Sequence, residues 1–407
     1  MNDSKYGPHT AAGSRTTRRG FLTAAAAGVA ACRSPDSSPA PSLLGRGRRG
    51  YGERSSFEGA ERSFRPGTTP GTGSSKTPLA TTLGIITPSA LHFERHHSGV
   101  PSIDPAKHAL LVHGLVERPL VFTLEDLRRL PSISRVHFIE CAGNSGREHR
   151  GEPHEDVQKS HGLLSCSEWT GVLLSVLLRE VGLRAEAKWL VAEGADACRL
   201  ARSIPLDKAL DDVMVAYGQN GEALRPEQGY PVRLVVPGWE GNTNVKWLHR
   251  VHVVDRPYMT REEAPYYTDL MADGKARMFT FVMEAKSVIT RPSGGMKLAG
   301  PGFHEITGLA WSGRGRIERV DVSTDGGKTW APARLDEPVL PKALTRFHFP
   351  WTWRGDDTWL LSRCVDETGY VQPTREQLVA VRGLNGTDHY NGIKAWHVLA
   401  GGEVRHV

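Results

Sequence analysis

Apolar positions along this chain change their rhythm twice. Up to about residue 79 no hydrophobic period is present, and residues 33–79 are rich in Ser, Pro, Gly, Thr and Arg, the composition of a disordered tether. From about Leu79 to Val288 short apolar runs alternate irregularly between strand and helix texture. Leu110–Val116 reads as a strand and turn, and Thr123 as the N-cap of a short helix with Asp126 three residues on. Trp169–Val181 reads as an amphipathic helix stopped by Gly182, and 188–192 and 232–236 as buried strands. Irregular mixing without βαβ units predicts an α+β domain over residues 80–288, and no GxGxxG follows a strand to indicate a dinucleotide fold. Beyond Gly308 the texture becomes alternating: Ile317–Ser323, a Gly-Gly turn, then 347–353, 359–365 and 378–381 as further short strands. That spacing predicts an immunoglobulin-like β-sandwich over 289–407, with Val288–Gly295 as the seam.

The start of the chain carries its own pattern. Arg18-Arg19-Gly20-Phe21-Leu22 precedes an Ala-rich stretch too short to span a bilayer, the pattern of a twin-arginine (Tat) export signal over residues 1–32. Val29-Ala30-Ala31-Cys32 reads either as a lipobox that would anchor the chain by a lipid on Cys32, or as ordinary small-residue cleavage with Cys32 merely nearby. The expected location is therefore periplasmic or otherwise extracytoplasmic. A net charge of +6 over 407 residues is mild and concentrated in the tether, so no nucleic-acid face is expected. Five scattered cysteines without CxxC do not form a disulfide framework, and no CxxCH marks a haem in this chain. Cys166, Cys198 and Cys364 are expected to be structural.

The candidate chemistry centres on Cys141. Val136, Phe138 and Ile139 lead into Glu140-Cys141-Ala142-Gly143-Asn144-Ser145-Gly146, a rigid strand meeting a small-residue turn. A thiol at that junction suits a fixed, soft metal ligand, although a strand-end cysteine is by itself also a small inert hydrophobe. Arg95, Arg382, His97 and Tyr267 read individually as surface or seam residues, and Arg233 and Lys246 as strand charges that snorkel.

Taken in order, the segments His92–His97, Phe138–Gly146, Gly229–Arg233 with Val245–Leu248, Pro265–Leu270 and Val381–Gly383 resemble the sulfite oxidase family. Segments 161–169, 237–242 and 369–375 look like the sulfane (sulfite) dehydrogenase branch of that family. The resemblance spans nearly everything after residue 80. It implies a molybdenum–molybdopterin cofactor with Cys141 as the protein's metal ligand, and cofactor contacts from Arg95, His97, Arg233 and Lys246. It also implies catalytic roles for Arg95, His97, Tyr267 and Arg382, two arginines matching the oxygens of a sulfur oxyanion. A homodimer through the sandwich follows from the same resemblance. Sulfite oxidases of the family carry a further arginine just after the cysteine motif, where this chain has Ser145-Gly146; Arg147 or Arg150 would compensate, or the pocket would be wider and admit a carrier-bound persulfide.

The implied function is oxidation of sulfite or sulfane sulfur, with electrons passed to a c-type cytochrome. An S-oxide reductase on the same scaffold and a cofactor-free exported binding module are the two alternatives.

Overall fold

The computed structural model describes residues 50–271, 273–384, 386 and 388–407. The expected signal, the lipobox at Cys32 and residues 33–49 of the expected tether fall outside the described residues; the remainder of that segment is not all tether, because Ser63–Pro66 and Gly73–Lys76 are paired strands and Ser75, Thr77 and Leu79 are buried. Contacts divide the chain into Met1–Glu58 and Gly59–Val407. Of the first unit, residues 50–58 are exposed bends and turns. Everything below concerns the second, in which no described helix is long and apolar enough to cross a membrane.

Among the described residues its N-terminal half holds three sheets of three to five strands, besides the two-stranded pair Thr268–Leu270 and Ala276–Met278. A small antiparallel sheet joins Ser63–Pro66, Gly73–Lys76 and Glu94–His96. A second sheet places Ser132–Glu140 beside Leu164–Leu173, which pairs with Met214–Gln219; Arg233–Val235 joins the same edge. A third runs Leu120–Thr123, Ala109–Gly114, Leu248–Val254, Trp189–Gly194, Ala201–Pro205, with one parallel pair between 109–114 and 248–254. Leu110, Val112, Val172, Leu177, Leu178, Val215, Leu234 and Val251 fill the space between the second and third sheets. The short helix Leu124–Arg129 opens on the expected reciprocal cap between Thr123 and Asp126.

The C-terminal half is a sandwich of a four-stranded sheet (Lys286–Arg291, Gly302–Trp311, Thr345–Trp353, Arg334–Leu335) and a five-stranded one (Ala331–Pro332, Ile317–Ser323, Thr358–Asp366, Ala395–Val398, Val404–His406). Val288–Arg291, at the expected seam, lie inside its first strand. The sandwich core is continuous with the first half: Leu79, Phe138, Val157, Leu164 and Cys166 belong to the same apolar cluster as Trp311, Phe347 and Trp396.

Two expected elements differ. Trp169–Val181 is not one helix: 164–173 is strand, and the helix begins at Leu174. A Cβ on Gly171 would lie 2.2 Å from the Val215 carbonyl, so that glycine serves close strand pairing, while the helical spacing Leu174, Leu177, Leu178, Val181 starts only afterwards. The segment 378–381 is not strand but part of the helix Arg375–Arg382, which Thr374 and Gln377 cap reciprocally.

Candidate active site

Cys141 follows the last residue of the strand Ser132–Glu140, and its backbone N–H donates to the Leu163 carbonyl at 3.0 Å. The turn after it closes through Asn144 N–H to the Cys141 carbonyl (2.9 Å), and the Asn144 side chain spans Glu140 Oε1 (2.9 Å) and Leu163 N–H (3.1 Å). Burial pushes the thiol up to about 11, so a thiolate here needs a neighbouring cation.

Arg95, His97, Arg233, Lys246 and Tyr267 line the same cleft as Cys141. Arg95 comes from the strand Glu94–His96, held in register by Ser74. His97 is pushed down to about 4 by burial and by Arg95, which leaves its ring neutral at pH 7. Arg233 is buried and donates to the carbonyls of Gln228 and Asn244, both at 3.0 Å, with its guanidinium 4.9 Å from the Trp169 ring centre. Lys246 Nζ donates to the carbonyls of Arg95 (3.2 Å) and Glu227 (3.1 Å) and to His96 Nδ1 (2.9 Å). Burial holds Arg233 down at about 9, and burial with Arg233 alongside depresses Lys246 well below its ordinary value. Neither makes an ion pair with a described carboxylate.

Arg382 does not join them. It ends the helix Arg375–Arg382 and donates to Glu284 Oε2 (3.2 Å), with Asp269 at 3.9 Å; it lines a separate cavity with Glu284 and Tyr370. Helical rather than extended backbone turns its side chain away from the cleft. The compensating arginines are also elsewhere: Arg147 pairs with Glu152 at an exposed site, and neither it nor Arg150 lines the cleft. Ser145 and Gly146 are themselves buried away from it. The wider outer cleft, which also reaches Cys141, is lined by Arg65 and Arg261 together with Arg95, and by Asp269 and Asp388.

Sequence reasoning missed Arg202. Its guanidinium lies 4.5 Å from the Tyr267 ring centre, fully buried, held by Glu240 (2.8 Å) and Glu263 (3.2 Å). Burial alone would raise Glu240, but Arg202 and His389 bring it down to about 2. His389 Nε2 meets Glu240 Oε2 at 2.9 Å, and the His389 backbone N–H donates to the Ala142 carbonyl at 2.8 Å, so this network braces the turn after Cys141.

The profile of the oxidoreductase molybdopterin binding domain matches residues 97–262, and that of the Mo-co oxidoreductase dimerisation domain residues 277–395. The chain is 32% identical to sulfite oxidase of Gallus gallus over 77% of this chain and 72% of that protein. It is 31% identical to a nitrate reductase of Ulva prolifera over 66% of this chain, spanning only 34% of that longer enzyme. Among solved structures, the sulfane dehydrogenase SoxCD from Paracoccus pantotrophus superposes with a TM-score of 0.87 at 49% identity, over 91% of this chain and 99% of that one. The chain belongs to the sulfite oxidase family of molybdopterin oxidoreductases. Within that family it is of the SoxC type, as its 49% identity to the sulfane dehydrogenase structure shows.

The residues present fit a molybdenum–molybdopterin group. Buried Arg233 and half-buried Lys246, neither paired with a described carboxylate, offer an anionic phosphate two basic groups whose charge it would favour. Both polar atoms of the Asn242 amide, and His92 Nε2, are buried at the cleft without hydrogen-bond partners, as a heterocycle with donor and acceptor edges requires. Cys141 supplies the soft donor.

Proposed function

We propose that this chain is an exported sulfur dehydrogenase that oxidises sulfite or carrier-bound sulfane sulfur and delivers electrons to a c-type cytochrome. The observation that carries this reading is the convergence of Cys141, Arg95, His97 and Tyr267 on one cleft whose inner wall holds Arg233 and Lys246. The likeness to SoxCD supports the sulfur substrate, and the absence of CxxCH in the sequence supports an external haem protein as acceptor. The Arg18-Arg19 motif supports export in the folded state to the periplasm, and the dimerisation-domain match supports a homodimer through the sandwich.

When bound, the molybdopterin group supplies two-electron redox chemistry and oxygen transfer at sulfur. Cys141 would ligate its metal, whose charge would hold the thiolate. Lys246 and Arg233 would neutralise its phosphate, and Asn242 would pair with its ring edge. Arg95 attracts the substrate anion and aligns its oxygens. The Tyr267 hydroxyl donates to an oxygen of the substrate or product, and burial keeps that phenol protonated. His97, neutral at pH 7, accepts a proton on a ring nitrogen as water is consumed. The outer cleft opens to the surface and also reaches Cys141, an approach that suits a carrier's tethered persulfide.

Steady-state kinetics of the molybdenum-loaded protein with sulfite and with a persulfidated carrier test the reading. Turnover with either supports it; reduction of an S-oxide without either oxidation overturns it. Cys141→Ser is expected to abolish turnover, a loss of at least about a thousandfold, while the circular dichroism spectrum stays unchanged.

A further inference from the structure

Glu140 and Cys141 are consecutive, and at the end of an extended strand their side chains point to opposite sides. Cys141 faces the cleft. Glu140 faces the sandwich, where it is completely buried. Its Oε1 accepts from Lys286 Nζ at 2.9 Å and from Asn144 Nδ2 at 2.9 Å, and its Oε2 accepts from Trp311 Nε1 at 2.6 Å. Lys286 and Trp311 are direct partners across the antiparallel strands Lys286–Arg291 and Gly302–Trp311 of the second domain. Lys286 Nζ also donates to Ser145 Oγ (3.1 Å), and Ser145 Oγ donates to the Ser160 carbonyl (3.0 Å). Ser145 stands at φ 65°, a left-handed conformation that a serine holds only when its surroundings fix it. Both ends of the six-residue segment Glu140–Ser145, which carries Cys141, are therefore gripped by one lysine.

We propose that Lys286 and Trp311 are positioning residues that set the direction of the Cys141 sulfur by clamping Glu140 and Ser145, so that the sandwich aims the metal ligand as well as pairing subunits. This rests on the assignment of Cys141 as that ligand. The arrangement is suited to the task. A carboxylate with three donors in a dry site has one orientation, and the backbone attached to it inherits that rigidity. A buried lysine and tryptophan Nε1–H spent on the residue before the thiol are otherwise poor choices for a sandwich interior.

The test uses full-length Trp311→Phe, which keeps an aromatic ring and removes one donor, and Glu140→Gln/Lys286→Met, which removes both charges together. In cofactor-free protein, the rate of Cys141 alkylation by iodoacetamide is read by peptide mass spectrometry. Cys198, half-buried in the outer cleft, serves as the internal reference. A clamp predicts that the Cys141 rate changes at least about threefold in both variants while the Cys198 rate stays put. In loaded protein it predicts a displaced sulfur-to-metal charge-transfer band and kcat per bound molybdenum lower by roughly tenfold, with KM within about twofold. Wild-type alkylation, band and kcat in Trp311→Phe overturn the proposal, as does a parallel rise in Cys141 and Cys198 reactivity, the mark of general loosening. Should the wild-type chain bind no molybdenum, the ligand assignment fails, and the alkylation rates alone then decide whether the clamp exists.

Discussion

The guanidinium of Arg202 has no exposed surface, lies between Glu240 and Glu263, and covers one face of Tyr267. Nothing near Arg202 in the sequence announces this role: its carboxylate partners lie 38 and 61 residues further on. The same holds for Glu140, whose partners Lys286 and Trp311 are 146 and 171 residues away. That Cys141, Arg95, His97, Arg233, Lys246 and Tyr267 line one cleft follows the resemblance of their short runs to the sulfite oxidase family; residue by residue, those other than Cys141 read as surface or seam residues or strand charges. Buried charge networks were not legible, because only the finished fold brings their members together. Tyr267 itself offers the simplest single-residue test. Removing one preorganised donor from a water-poor site costs on the order of a hundredfold in rate, so Tyr267→Phe is expected to lower kcat by about that factor with little change in KM. Steady-state kinetics at saturating substrate check it, and an unchanged kcat would remove Tyr267 from the chemistry.

Single elements decide where a side chain ends up. Arg382 was expected at the substrate, but the segment before it coils into the helix Arg375–Arg382, and the last turn delivers the guanidinium to Glu284. The signal was present in the sequence as Thr374-Arg375-Glu376-Gln377, a cap whose two hydrogen bonds both form. Apolar Leu378, Val379 and Val381 hid it behind an apparent strand. Losing that cap should cost about 1 kcal/mol, so Thr374→Ala is expected to lower the chemical-denaturation midpoint modestly without shifting its slope. The strand and helix of 164–181 teach the converse lesson. Helical spacing from Leu174 onward was real, and only its start was misplaced, because Gly171 and the β-branched Thr170 and Val172 serve sheet pairing.

At the scale of the whole molecule, acid sensitivity follows from histidines kept neutral inside. Burial holds His92 at about 3 and His137 at about 4, and puts His161 well below its ordinary value. In the unfolded chain the same rings bind protons near pH 6.5. Unfolding therefore takes up protons below that pH, and the native state loses stability as pH falls from about 6.5 toward 4, by on the order of 1 kcal/mol per pH unit for each ring. Melting temperatures measured between pH 7.5 and 4.5 should decline steadily on the acid side. His137→Gln, which can still hydrogen-bond the Lys342 carbonyl, should flatten that decline; a slope unchanged by it would exclude His137 as a contributor.

The oily interior shared by Leu79, Phe138, Val157, Leu164 and Cys166 with Trp311, Phe347 and Trp396 ties the fate of one half to the other. Severing the chain near residue 288 would strip a wall from each piece, and neither fragment would inherit a finished globule. A change in the shape of one wall therefore calls for a matching change across the junction, or the shared interior loses its close packing.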